Sequence, residues 1–424
     1  MTLPDDALAA WRPFAAALFD DLRRMSDDGI GVTREAYGPG EQAAQDRIAE
    51  AAREHGLEVA IDAARNLIVS LDGADANAPA VACGSHLDSV PRGGNFDGAA
   101  GVVAGLTAMA AMKSAGVVPP RPIKLLALRA EESAWFGKSW LGANALFGLL
   151  TAADLERPRF DTGRRLADYM ADAGADVDAI SAGTPLIDKS DLAAFLEVHI
   201  EQGPVLEAED LPVAVVSAIA GNLRHMAVTC TGRAAHAGGS PAGDRQDAVV
   251  ATADLMMRLD RHWQAYLAKG RDVLLTHGMI GTDPAEHAIS RIAGATTFSI
   301  EIRSADADTM AEFHRLVEAE CEAVAGERGV RFYLGEAIVN APAPMDPAWI
   351  DRLAAICDDR GIDHKHMASG GGHDSAVFVG AGVPTAMIFV RNPFGSHNPD
   401  EAMDLDDFMQ ATEILAAALL APLD

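Results

Sequence analysis

This chain is short of aromatic residues, of cysteine and of positive charge, and it has no long apolar run. Phe, Trp and Tyr make up 5% of its 424 residues. With Ala and Gly abundant, that reads as a background compositional bias. Its four cysteines, Cys83, Cys230, Cys321 and Cys357, match no zinc knuckle or disulfide framework. Cys83 and Cys230 sit inside apolar, strand-like runs and are expected in the core. A reducing compartment is the simplest inference. The 34 Lys and Arg face 62 Asp and Glu, a formal net charge of −28. Such a charge repels phosphate backbones and anionic membranes, which argues against nucleic-acid and membrane-surface partners. No apolar stretch approaches the roughly 20 residues of a membrane span, and the first residues lack a basic segment followed by an apolar one. A cytoplasmic location is expected.

What the chain does have is length and alternation. At 424 residues it exceeds what one core usually spans, so two domains are expected. The first 50 or so residues show helical spacing at Leu8, Trp11, Phe14 and Leu18. Strand-like runs follow at 67–71, 80–84, 123–128, 195–200 and 385–390, with helical patterns between them, notably 98–115. That alternation predicts an α/β fold: a mixed, mainly parallel sheet flanked by helices. Residues 224–231, 247–267, 273–280, 295–303, 310–328 and 330–334 read as βαββαβ, the order of a ferredoxin-like unit. The expected organisation is a catalytic domain from 1–220 plus 334–424, with an inserted domain over 221–333. Asp404 is a plausible N-cap for a closing helix to about residue 420.

Short polar knots lie within or just after the strand-like runs. They are Gly84-Ser85-His86-Leu87-Asp88, Asn95-Phe96-Asp97-Gly98, Glu131-Glu132, Glu197-Val198-His199 and Ser396-His397-Asn398-Pro399. Ligands of open α/β sheets collect at the carboxyl ends of strands. Three imidazoles and several carboxylates are what a pair of divalent metals needs, and a two-metal centre predicts hydrolysis. His86 and Asp88 are two apart, so one is placed to bind metal while the other orients the ring. Glycines around Asp97 let its carboxylate reach back to bridge two ions. Glu131 and Glu132 face opposite ways in an extended segment, so one can ligate and the other act as a base. Each knot also has an ordinary reading. A strand histidine with apolar flanks, like His199, is more often a core residue than a ligand. Adjacent acids, or a turn histidine like His397, are common on surfaces.

Order and wording make the set specific. The segments Gly84-Ser85-His86-Leu87-Asp88-Ser89-Val90-Pro91, Gly93-Gly94-Asn95-Phe96-Asp97-Gly98, Glu197-Val198-His199-Ile200-Glu201-Gln202-Gly203-Pro204, Ala235-His236-Ala237-Gly238, Gly371-Gly372-His373-Asp374 and Ser396-His397-Asn398-Pro399-Asp400-Glu401 span nearly the whole chain. Together they resemble the M20 metallopeptidase-type family, in its amidohydrolase branch of N-carbamoyl-L-amino acid hydrolases, β-ureidopropionases and allantoate amidohydrolases. The Glu-Gln-Gly-Pro and Gly-His-Asp segments point to that branch over the dipeptidases.

The resemblance implies two divalent ions per subunit, with zinc, manganese, cobalt and nickel all suited to these ligands. Asp97 would bridge them, His86 and His199 would complete one, and Glu132 and His397 the other. Glu131 would be the general base and Asp88 would orient His86. The inserted unit would be a lid and dimerisation domain. His236 would act across a homodimer interface on the partner's oxyanion. Arg303 would bind a substrate carboxylate, to which a guanidinium forms paired hydrogen bonds. Gln202, Gly371 and His373 match substrate-pocket positions, and Ser290 stands where the family usually has an asparagine. The implied reaction is hydrolysis of a linear amide or ureido C–N bond in a small carboxylated substrate. An M20-type dipeptidase or N-acyl amino acid deacylase is the alternative, and a non-catalytic relative a third reading that the base Glu131 argues against. Departures from the pattern are Ser290-Arg291, and Trp135 and Trp140 after the acid pair, which are expected to reshape the pocket. His55, His225, His262, His277, His287, His314, His364 and His366 receive no role.

Overall fold

The apolar runs of the sequence become the centre of a sheet. In chain order the strands are β1 (Glu58–Ile61), β2 (Leu67–Leu71), β3 (Ala80–His86), β4 (Ile123–Leu128), β5 (Leu192–Ile200), β6 (Val213–Ile219), β7 (Gly221–Thr231), β8 (Ala235–His236), β9 (Leu274–Thr276), β10 (Ile280–Gly281), β11 (Arg291–Ile292), β12 (Ala295–Ser304), β13 (Arg331–Tyr333), β14 (Ile338–Asn340), β15 (Ala343–Pro344), β16 (His364–Ser369) and β17 (Thr385–Val390). This is a computed structural model, and it describes residues 3–423. Two compact units emerge: one holds the chain up to residue 217 and from 344 onward, the other holds 218–343.

The first unit is built on a nine-stranded mixed sheet, in the order β1-β2-β4-β3-β5-β17-β6-β15 with β16 beside β6. Its centre, β4-β3-β5-β17, is parallel throughout. Toward the edges β1 pairs antiparallel with β2, β2 with β4, and β6 with β17. All seven residues of β3 and all six of β17 are buried, as expected of strands covered on both faces. The helix Ala99–Ser114 is buried nearly all round and packs on this sheet. The closing helix is Leu405–Leu420, and the Asp404 side chain accepts the Asp406 N–H at its start. Cys83 is fully buried in this core, and Cys230 in that of the second unit.

The second unit is antiparallel. Its strands lie in the order β9-β12-β7-β13, with β10 also along β12 and β14 also along β7. The helix Ala248–Leu267 lies between β7 and β9, and Ala307–Arg328 between β12 and β13. Leu255, Leu259, Phe298, Ile302, Phe313 and Val317 fill the core between helices and sheet.

Two expectations need correction. The inserted unit was expected to close at residue 333, but it runs on to 343, because β14 still pairs with β7. The single strand expected over 273–280 is broken. Ile280 stands opposite Phe298 and Thr276 opposite Glu301, so three residues, His277 to Met279, face two. The extra residue disrupts the ladder as a bulge does.

Candidate metal centre

The four parallel strands end together and carry their polar knots to one place. His86 is the last residue of β3 and stands in register with Leu128, three residues before Glu131 on the β4 side. His199, at the end of β5, stands in register with Phe389 of β17, from which the chain continues to His397. Asp97 returns on the loop before the helix Ala99–Ser114. Gly98 permits this return, with φ 65° and ψ −47°, and any Cβ there would meet the His86 ring at 2.5 Å.

Two groups of three ligands share one carboxylate. His86, Asp97 and His199 form the first, and Asp97, Glu132 and His397 the second, with the ligand atoms of each group within 4.8 Å of one another. Asp97 Oδ1 lies 3.1 Å from His199 Nε2 and 3.6 Å from His86 Nε2. Asp97 Oδ2 lies 3.2 Å from His397 Nε2, which is also 3.3 Å from Glu132 Oε1. Glu131 Oε2 stands 4.0 Å from His86 Nε2, on the first group's side. Glu131 and Glu132 thus serve opposite sides of Asp97, as adjacent extended residues do.

The donor set fits divalent ions. Asp97 Oδ1 is buried and receives no hydrogen bond, although two imidazole nitrogens stand near it. His199 Nδ1 bonds the Ile200 carbonyl at 2.9 Å, which turns Nε2 toward Asp97. Nitrogen lone pairs and carboxylate oxygens converge on common points, as metal ligands do.

The electrostatics point the same way. Burial works against protonation of His86, but Asp88, Glu131 and Asp97 outweigh it and raise its pKa well above the usual value. Asp97 and Glu132 push His397 up to about 11. Burial opposes ionisation of Asp97, yet the imidazoles of His199 and His397 hold it well below the carboxylate range. Burial drives Glu131 well upward, against His86 and with help from Glu132 and Asp374. Asp88, Asp97, Glu131 and Glu132 thus each favour positive charge on a neighbouring imidazole.

Buried acids hold the ligands in place. Asp88 accepts the backbone N–H groups of Glu131 at 2.9 Å and Glu132 at 3.1 Å, and its Oδ1 lies 3.3 Å from His86 Nδ1. Glu401 accepts the N–H groups of Phe96 and Asp97 and lies 2.6 Å from the Ser396 hydroxyl. Gln202 donates its amide to Asp97 Oδ2 at 2.9 Å. A further cluster, Glu197, His199 and His373, also has ligand spacing. It is poorly suited to an ion of its own. His199 Nε2 faces Asp97, its Nδ1 is taken by the Ile200 carbonyl, and Glu197 accepts the hydroxyls of Ser85 and Ser375 and the Ser375 N–H.

The remaining predicted positions divide between the units. Gly371 and His373 lie in the first unit, with the buried His373 ring edge-on to His199 at 4.4 Å. A Cβ on Gly371 would come 2.9 Å from Gln202 Oε1. Trp140 joins them: its indole edge is so close to Gly372 that a Cβ there would meet Cζ2 at 2.6 Å. Trp135 does not. Expected to reshape the pocket, it is a core residue whose indole N–H is spent on the Ser89 carbonyl. His236 and Ser290 are neighbours in the second unit, where the Ser290 carbonyl accepts the Ala237 N–H at 2.7 Å. Arg303 is on the same unit's β12, 3.0 Å from Glu301. Sequence reasoning gave no role to Glu197, Asp374 or Glu401, although all three stand inside the quoted motifs.

Paired ligand groups at the carboxyl ends of a parallel sheet, with a further buried carboxylate beside them, are the equipment of a metal-dependent hydrolase. The chain belongs to peptidase family M20/M25/M40, whose model matches residues 82–421. It is 33% identical over 402 residues to the N-carbamoyl-L-amino-acid amidohydrolase of Paenarthrobacter aurescens, with 95% of each chain covered. It is 32% identical over 413 residues to the allantoate amidohydrolase of Escherichia coli strain K12, covering 96% of this chain and 97% of that one. A solved amidase of the hydantoinase/carbamoylase family from Burkholderia multivorans superposes with a TM-score of 0.85 at 28% identity, covering 96% and 97% of the two chains. No helix among the described residues is long and apolar enough to cross a membrane.

Proposed function

We propose that this protein is a dinuclear-metal amidohydrolase that cleaves a linear amide or ureido C–N bond in a small carboxylated substrate, an N-carbamoyl-L-amino acid or an allantoate-like ureido compound. The observation that carries the reading is the pair of ligand groups joined through Asp97, with Glu131 beside them. The named activities of the relatives support the choice of C–N bond. His86, Asp97 and His199 would hold one ion, and Asp97, Glu132 and His397 the other, with zinc, manganese, cobalt or nickel compatible with the donors. When bound, such ions supply Lewis acidity, lowering the pKa of water and polarising a carbonyl.

The chain's own residues do the rest. Glu131 takes the proton of the attacking water and returns it to the leaving nitrogen. Its burial suits that task, since a raised carboxyl pKa brings a base nearer neutral pH. Asp88 fixes the His86 ring and both acid-pair amides. Gln202, Gly371 and His373 line the substrate pocket. A carbamoyl substrate yields the amine, carbon dioxide and ammonia.

The second unit is assigned as a ferredoxin-like lid and dimerisation domain; its two helices and its strand order support this. Arg303 binds the substrate carboxylate, Ser290 lies beside His236, and His236 stabilises the oxyanion from across a homodimer interface. The spacing within the unit supports the last point. Arg303 and Ala295 are about 26 Å apart at the strand rise, and His236 is paired with Arg291, past the Ala295 end. That separation supports a reading in which Arg303 and His236 of one chain serve different sites.

The test is a screen of metal-replete enzyme for ammonia release from N-carbamoyl-L-amino acids, allantoate and related ureido acids, run beside dipeptides and N-acyl amino acids. Ammonia from the ureido set is expected. Turnover confined to dipeptides or acyl amino acids would move the protein to the dipeptidase or deacylase reading.

A further inference from the structure

The segment from Val32 to Glu41 lies before the stretch that matches the family model, yet it touches both loops that carry the acids of the centre. At one end it is laced to the loop after β3. Val32 and Gly93 exchange backbone hydrogen bonds, and Arg92 N–H donates to the Thr33 hydroxyl. The Ser89 N–H donates to the Arg34 carbonyl, and the Arg34 N–H to the Ser89 hydroxyl. The Arg34 side chain has no exposed surface. Its guanidinium donates to the Leu87 carbonyl at 2.6 Å and to Asn95 Oδ1 and the Asn95 carbonyl, each at 3.2 Å. Leu87 sits between His86 and Asp88, and Asn95 is two residues before Asp97, so one planar fork fixes both halves of the loop.

At its other end the segment grips the chain leaving β4. Glu41, fully buried, accepts the Ala130 N–H at 2.8 Å, the Tyr37 N–H at 2.6 Å and the Arg129 guanidinium at 2.7 Å. Ala130, with φ 55°, immediately precedes Glu131 and Glu132. A non-glycine residue in that region needs its surroundings to hold it there. Arg129 also bonds Gln42, and Gln45 bonds the Ala127 carbonyl, so the first turns of the helix Pro39–Glu54 reinforce the grip.

Among the described residues no carboxylate is a hydrogen-bond partner of Arg34; its charge instead acts on Glu401, Asp88, Asp97 and Glu41 at longer range. A buried cation with only carbonyl and amide partners is costly unless nearby charge compensates it. Here it stands behind a cluster of buried acids and offsets part of their mutual repulsion.

We propose that Arg34 and Glu41 are positioning residues for the metal centre, the two ends of a strap that sets the Leu87–Asp97 loop against the Glu131-Glu132 loop. Neither touches an ion or substrate. The strap brings Asp97 within reach of Glu132, so that the second ligand group is preformed. This rests on the two-metal reading above.

The test uses the full chain stripped of metal and titrated calorimetrically with zinc or manganese, each binding step resolved. The variants are Glu41→Gln, Arg34→Met and Arg34→Lys, and thermal midpoints of the stripped forms are recorded alongside. Glu41→Gln should weaken one step, the one using Glu132, about 10–100-fold, the range for partners of metal ligands. Arg34→Met should weaken both steps, because its loop carries His86 and Asp97, and Arg34→Lys should recover part of the loss. General destabilisation lowers the thermal midpoint without singling out one binding step. Should Arg34→Met not fold, the near-isosteric Glu41→Gln carries the test. Folded variants that bind both ions as tightly as the wild type overturn the strap alone. A wild-type chain that takes up no ion overturns the two-metal reading and the strap with it.

Discussion

Replacing Asp88 by asparagine changes one oxygen to an amide and little else in shape, so its effect can be worked out from the contacts. Asp88 has no exposed surface and accepts the amide N–H groups of Glu131 and Glu132, one on each oxygen. Asparagine keeps one acceptor, and its NH2 group must meet the other N–H. A buried donor left without an acceptor costs about 1–3 kcal/mol. The remaining bond loses its charge assistance, roughly another 1 kcal/mol. The total is about 2–4 kcal/mol. His86 suffers less. Its Nδ1 is also 3.1 Å from the Asp88 backbone carbonyl, which the substitution leaves in place, so the ring keeps its tautomer. The damage therefore falls on the acid pair. Differential scanning calorimetry of the stripped protein should show a midpoint lower by about 3–6 °C. Calorimetric titration should show the ion held by Glu132 weakened about 10–100-fold. A variant with wild-type midpoint and wild-type affinity would refute the claim that Asp88 organises the acid pair.

Three further outcomes are expected. Gly98→Ala places a Cβ against the His86 ring in a backbone region closed to alanine, so metal uptake measured by elemental analysis should be lost or halved; full uptake would show that the loop gives way. Gly372→Ala pushes on the Trp140 indole edge, and steady-state kinetics should show KM raised at least several-fold with kcat changed less, whereas an unchanged KM would remove Trp140 and Gly372 from the pocket wall. His225 is held below its usual pKa by burial and by His314, whose Nε2 is 2.9 Å from its own. The unfolded chain takes up that proton near pH 6.5 and the folded chain only at lower pH, so stability present above pH 6.5 is lost as the pH falls below it. The thermal midpoint should fall less steeply between pH 7 and pH 5 in His225→Gln than in the wild type; equal slopes would contradict the assignment.

The sequence revealed this centre through strand ends. The candidate ligands sit in short motifs at or after the ends of β3, β4, β5 and β17, and a parallel sheet brings such ends together whatever their distance along the chain. His199 looked like a core residue, and it is in fact buried. Its register beside β17, with Nδ1 tied to Ile200, is what turns its other nitrogen toward Asp97. The packing of the tryptophans was not legible. Trp135 and Trp140 are five residues apart, yet one fills a core and the other abuts Gly372, because a turn with Trp140 at φ 62° separates them. Arg34 and Glu41 were invisible for a different reason. Apart from Tyr37, four residues from Glu41, their partners lie 53 to 89 residues away, and most are backbone N–H or carbonyl groups, which leave no trace in residue type. The strand expected over 273–280 failed at a one-residue bulge, which period-two patterning does not encode.

The most direct test of the central claim combines three readings on one pair of proteins: ammonia release from an N-carbamoyl-L-amino acid or allantoate, metal content, and the same assay after chelation. The wild type should hold two divalent ions per chain, release ammonia, and lose activity on chelation and regain it with metal. Glu131→Gln should hold the same two ions and turn over at least about 100-fold more slowly, the usual contribution of a general base. A Glu131→Gln variant with full metal and undiminished turnover, or a wild type whose ammonia release survives complete metal removal, would contradict the account.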